Sequence, residues 1–143
     1  MNIIAYGSLM NQKSLERSLE RPAQLNRIVI EGYQRIFNAP FDDYAFLNLQ
    51  PAIDARIEGA YVEMSEDELI KFTKREKGSD LIEIIPNYFA FIWPKRFCQS
   101  LPVLQSYIDV CLEGATDLGI DFWQGVIRPN MVVNDRNNPI YNA

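Results

Sequence analysis

The chain has 143 residues, enough for one domain with a full core. Its formal net charge of −5, with no basic cluster, argues against a nucleic-acid partner, and the absence of any run of eighteen apolar residues argues against a membrane span. It contains no histidine, which excludes a Ser-His-Asp triad, a Cys-His dyad and any histidine-ligated metal within the chain. In chain order, an apolar run over residues 3–6 predicts a buried strand that stops at Gly7-Ser8. Gly7 permits a tight turn or a close approach to a ligand, and successive N–H groups in such a turn can form a nest for an anion. A strand followed by Gly-Ser is also an ordinary turn, and this pattern alone leaves both readings open. Residues 13–20 predict a short helix with Leu15 and Leu19 on one side, ended by Pro22.

A long extended segment runs from Ile28 through Phe37, with Gly32 marking a bulge or bend. Asn38-Ala39-Pro40 and Asp42-Asp43 read as turn chemistry. A short strand over residues 45–49 places Ala45, Leu47 and Leu49 on one face, and Pro51 is expected to stop it. Residues 56–64 predict a further strand.

The most informative helix follows. Ser65 and Glu68 form a capping box, and the acidic first turn suits the helix dipole. Leu69, Phe72 and Thr73 are expected on one face, with Gly78 as the stop. The next step along that face is Glu76. A carboxylate there loses hydration and meets the partial negative charge of the helix end, and both effects push its pKa toward the range useful for proton transfer. Arg75 and Lys77 point to other sides of the helix. Three readings follow: a functional acid, a buried glutamate paired with an arginine from elsewhere, such as Arg35 or Arg56 on the predicted strands, or a frayed end in water.

Residues 81–85 and 88–93 predict two strands joined at Pro86-Asn87. A second long helix is expected to open at Ser100 or Leu101, with Pro102 in its first turn, an apolar face of Leu104, Ile108, Cys111 and Leu112, and Gly114 as its end. Cys98 and Cys111 read as free thiols, with Cys111 in the core, which fits a reducing cytosol, and no signal peptide is seen. The expected organisation is a single domain over residues 1–127 and an irregular tail over 128–143. The pattern predicts an α+β fold with a mostly antiparallel sheet curled around its core.

Several segments together resemble the gamma-glutamylcyclotransferase-like family. They are Tyr6-Gly7-Ser8-Leu9-Met10, Gly32-Tyr33 with Arg35 and Phe37-Asn38, Leu47-Asn48-Leu49-Gln50-Pro51, and Arg75-Glu76 closing a helix. Ser106-Tyr107 through Gly114-Ala115 and Gly119 also fit. The resemblance implies a small mixed β-barrel flanked by helices. It implies that Tyr6, Gly7, Ser8 and Leu9 hold a gamma-glutamyl group, largely through backbone N–H groups. It further implies that Glu76 is the acid/base of a cyclisation releasing 5-oxoproline and an amine or amino acid; the cytoplasmic setting is expected from the cysteines alone. Two departures stand out: Ser79 where many relatives carry an aromatic residue, and Leu9 where others carry asparagine.

That chemistry suits the residues. The substrate's own α-amine attacks its tethered γ-carbonyl, so folding the substrate does much of the work. One carboxylate can accept and return the proton, and oriented N–H groups can meet the oxyanion and the α-carboxylate. The reaction requires no metal or organic cofactor. The alternative is a non-catalytic small-molecule-binding protein that keeps the pocket, and a third reading is a structural or interaction domain.

Overall fold

A computed structural model describes residues 1–76, 78–94 and 101–136, with the side chain of Arg75 also outside the description. Cys98, Lys77 and the expected helix start at Ser100 therefore lie outside the described residues, as do residues 137–143 of the tail.

The first strand, β1 (Asn2–Ala5), is central and buried on both faces. Its side chains alternate accordingly: Ile3 joins one apolar cluster, while Ile4 joins another. A single 3-10 turn (Ser8–Met10) leads into α1 (Gln12–Leu19), which Asn11 caps by accepting a hydrogen bond from the Ser14 N–H. Two long strands follow, β2 (Asn26–Phe41) and β3 (Tyr44–Glu63), paired antiparallel over most of their length.

This hairpin departs from the sequence expectation twice. Residues 38–40 stay in the strand, and the chain reverses at Asp42-Asp43, both at positive φ, which is the two-residue turn that matches strand twist. Pro51 does not end the strand either. It faces Tyr33 beside the bulge at Gly32 (φ +81), where a missing N–H costs the ladder little.

Helix α2 (Glu66–Arg75) carries both halves of the expected capping box. Leu69 and Phe72 are buried, whereas Thr73 is exposed and returns its hydroxyl to the Leu69 carbonyl at 2.8 Å. Strands β4 (Asp80–Ile85) and β5 (Tyr88–Ile92) pair antiparallel around Asn87 (φ +73).

Strand β6 (Val103–Leu104) precedes α3 (Gln105–Leu118), which starts later than expected. The reason lies far along the chain: Asp135 accepts hydrogen bonds from the Ser106 N–H (2.9 Å) and hydroxyl (2.5 Å), capping the helix start. The helix also continues past Gly114 to Gly119, which takes the left-handed cap conformation (φ +71). Strand β7 (Val126–Ile127) pairs parallel with β2, and β8 (Val132–Val133) pairs parallel with β6. Residues 128–136 thus hold a strand and a helix cap where the sequence predicted irregular chain.

The main sheet runs β4-β5-β1-β3-β2-β7, a mixed and mostly antiparallel half-barrel, giving the expected α+β class. On one face Ile3, Val62 and Phe91 pack with Leu15 and Leu19 of α1 and with Leu69 and Phe72 of α2. On the other, Ile4, Leu49 and Ile57 pack with Ile108, Cys111 and Ala115 of α3. Among the described residues, no helix is long and apolar enough to cross a membrane.

Candidate active site

The opening turn lies directly after β1. Within it the Met10 N–H bonds to the Gly7 carbonyl and the Asn11 N–H to the Ser8 carbonyl, both at 3.0 Å. The N–H groups of Ser8 and Leu9 begin the 3-10 turn and so have no intrahelical acceptor. Among the described residues, no protein acceptor meets them.

Three neighbours fix this turn. Arg35 is fully buried and donates Nε–H to the Tyr6 carbonyl at 2.7 Å. Its remaining N–H groups reach the carbonyls of Glu58 and Phe122, and its guanidinium lies 5.4 Å from the centre of the Phe122 ring. Burial lowers its pKa to about 10, which still leaves it charged at neutral pH. Helix α3 supplies the second contact at Gly114, where a Cβ would stand only 2.5 Å from the Met10 carbonyl carbon. This glycine permits close approach of helix and turn, and it does not end the helix. The third neighbour is Tyr107, whose hydroxyl would lie 3.0 Å from a Cβ on Gly7.

Glu76 stands at the C-terminal end of α2, half-buried, its N–H bonded to the Phe72 carbonyl at 2.8 Å. Its own carbonyl accepts from the Ser79 N–H (3.0 Å) and hydroxyl (2.6 Å). Ser79 therefore shapes the turn behind Glu76. Gly78 (φ +91) completes that turn, and the Trp93 ring packs so closely on it that a Cβ would come within 2.9 Å. Trp93 is held by Asn48, which accepts from its N–H (3.0 Å) and donates to its carbonyl (2.9 Å).

One cavity of about 380 Å³ joins these parts. Tyr6, Gly7, Ser8, Leu9 and Glu76 all line it, so the structure brings together the five residues singled out in the sequence. Most of the remaining wall is aromatic: Phe41, Phe46, Phe91, Trp93 and Tyr107. The pairing of Glu76 with a strand arginine is not what the two candidates are positioned for. Arg35 spends its hydrogen bonds on backbone carbonyls, and Arg56 is exposed.

The electrostatics separate the titratable groups of this region. The Tyr6 hydroxyl, which donates to the Phe91 carbonyl at 2.6 Å, is driven well above the usual tyrosine range by burial and then by the Glu76 carboxylate, with Arg35 opposing. Burial likewise raises Tyr107 and pushes the Cys111 thiol up to about 12. At neutral pH both phenols and the thiol therefore keep their protons, and among the described residues Glu76 supplies the carboxyl group on the cavity wall.

Sequence reasoning gave no role to Tyr107, Trp93 or Asn48. Asn48 did carry a signal: it is a polar residue between Leu47 and Leu49 in a buried strand, and such breaks mark residues with a specific task. The packing of Trp93 on Gly78 joins two distant segments and has no local sequence signature.

No protein-family model matches the sequence, and no curated protein matches it. Solved structures do. A structure described as gamma-glutamyl cyclotransferase is similar with a TM-score of 0.74 and 12% identity, covering 99% of this chain and 97% of the other. The human uncharacterized protein loc79017 is similar with a TM-score of 0.74 and 12% identity, covering 99% and 98%. YkqA from Bacillus subtilis is similar with a TM-score of 0.67 and 17% identity, covering 81% of this chain and 48% of that one. At these identities the likeness is one of architecture, and the chain has the gamma-glutamylcyclotransferase-like fold.

Proposed function

We propose that this protein is a gamma-glutamyl cyclotransferase that releases 5-oxoproline without a cofactor. The observation that carries the reading is that Glu76 and the turn of residues 6–9 line the same cavity. In the proposed reaction the N–H groups of Ser8 and Leu9 receive an anionic oxygen of the gamma-glutamyl group. The Glu76 carboxylate takes a proton from the substrate's α-ammonium. The freed amine attacks the γ-carbonyl, forming the ring C–N bond and a tetrahedral oxyanion. The original C–N bond then breaks as Glu76 delivers its proton to the departing nitrogen, and the second proton of the ring nitrogen passes by way of the Glu76 carboxylate to the released amine, leaving 5-oxoproline and an ammonium product. One carboxylate thus serves these proton transfers in turn. Tyr6 stays neutral and steadies the wall beside Glu76 through its bond to Phe91. A cytoplasmic setting is consistent with the free, buried thiol of Cys111.

The test is 5-oxoproline release from a panel of gamma-glutamyl dipeptides and amides. Wild-type protein is expected to release it, and Glu76→Gln to lower the rate about 100-fold or more while the protein stays folded. Binding of the same compounds, seen as a rise in Tm without product, would support the non-catalytic binding protein instead.

A further inference from the structure

Phe41 is the second residue on the cavity wall that looks out of place. It is 55% exposed beside the Asp42-Asp43 turn, where a polar residue would cost nothing. It does not stand alone. Its ring meets Phe46 edge-on at 6.3 Å, and Phe46 meets Tyr107 edge-on at 4.8 Å. Tyr107 lies against Gly7, so an unbroken aromatic strip runs from the opening turn to solvent. Trp93 adds a further aromatic wall beside Glu76.

Resting on the cyclotransferase reading, the arrangement has a consequence for the departing amine. That nitrogen must lie next to Glu76 to receive its proton. The group attached to it then extends among Phe41, Phe46 and Trp93. Burying apolar surface there is favourable, whereas a carboxylate set against the negative faces of those rings loses hydration with nothing in return. Among the described residues lining the cavity, Glu76 is the one charged group, and the reaction itself occupies it. We infer that the substrates are gamma-glutamyl compounds whose departing amine carries a bulky apolar group, aromatic or branched aliphatic, with Phe41 and Phe46 setting that preference.

The experiment compares gamma-glutamyl-phenylalanine and gamma-glutamyl-leucine with gamma-glutamyl-glycine and ε-(gamma-glutamyl)-lysine. Kinetics of 5-oxoproline release and calorimetric binding to Glu76→Gln are measured side by side. The phenylalanine and leucine compounds are expected to exceed the other two by about 10-fold or more in kcat/KM, with the difference mainly in KM. Phe41→Ser and Phe46→Leu are each expected to shrink the phenylalanine-to-glycine ratio several-fold. Product from all four compounds with equal kcat/KM, or a preference for glycine or lysine, overturns the apolar assignment while sustaining the cyclotransferase. Product from none overturns the cyclotransferase reading. The calorimetric ranking then still decides the apolar assignment, which fails if phenylalanine and glycine compounds bind alike.

Discussion

The two walls of the cavity are built differently. The opening turn is held from three sides, by the Arg35 guanidinium, by the close approach of α3 at Gly114 and by Tyr107. Glu76 hangs from the end of a helix, supported behind by Ser79 and by the packing of Trp93 on Gly78. The firm anchor of α2 is at its other end, where Arg21 bonds both carboxylate oxygens of Glu68 (2.6 and 3.0 Å) and the Glu63 carbonyl. The contrast teaches a division of labour. In the proposed reaction the Ser8 and Leu9 N–H groups act as a nest, which works only if its geometry is set in advance, and these three contacts set it. In the same reaction Glu76 must take and give a proton, and its half-buried place on the cavity wall leaves it open to substrate.

The largest effect is expected from breaking the rigid wall. Arg35→Leu leaves the carbonyls of Tyr6, Glu58 and Phe122 short of donors and should cost about 3 kcal/mol or more in urea unfolding. Gly114→Ala forces a methyl group onto the Met10 backbone and should cost about 1–3 kcal/mol, with substrate binding weakened as the turn is pushed aside.

The Glu76 wall should respond in activity more than in stability. Ser79→Ala removes one hydrogen bond to the Glu76 carbonyl, worth about 1 kcal/mol, and its N–H bond remains. A lower kcat with nearly unchanged unfolding would place the effect on Glu76's position, and a loss of stability alone would not.

The smallest effect concerns the distant anchor and depends on pH. Arg21, as first cause, lowers the pKa of Glu68 from 4.5 to about 2. Because the folded value is the lower one, the stabilisation is complete above about pH 4.5 and lost as the pH falls through about 2. The Arg21 side chain is 39% exposed, so the contribution is expected below about 1 kcal/mol. Glu68→Gln keeps a residue able to close the capping box and should flatten the dependence of stability on pH in that window.

These regions also differ in how far the sequence revealed them. The end of α2 was readable because capping box, apolar spacing and the Gly78 stop are local features, and Glu76 stood out against them. Residues 6–9 were readable as a turn, whereas the guanidinium beneath them comes from β2, twenty-nine positions from Tyr6. Gly114 and Pro51 were misread for one reason. Each has a local meaning as a terminator, and each is explained here by a partner distant in sequence: Met10 for the glycine, the Gly32 bulge for the proline. The start of α3 was missed because its cap, Asp135, lies about thirty residues downstream.

The central claim is that one ligand touches both walls at once, and an NMR titration of the Glu76→Gln variant tests it most directly. A gamma-glutamyl amide added to labelled protein should shift the amide signals of Ser8 and Leu9 and the side-chain amide of the new glutamine along a single binding curve. Shifts confined to one wall, or to residues outside this cavity, would contradict the account.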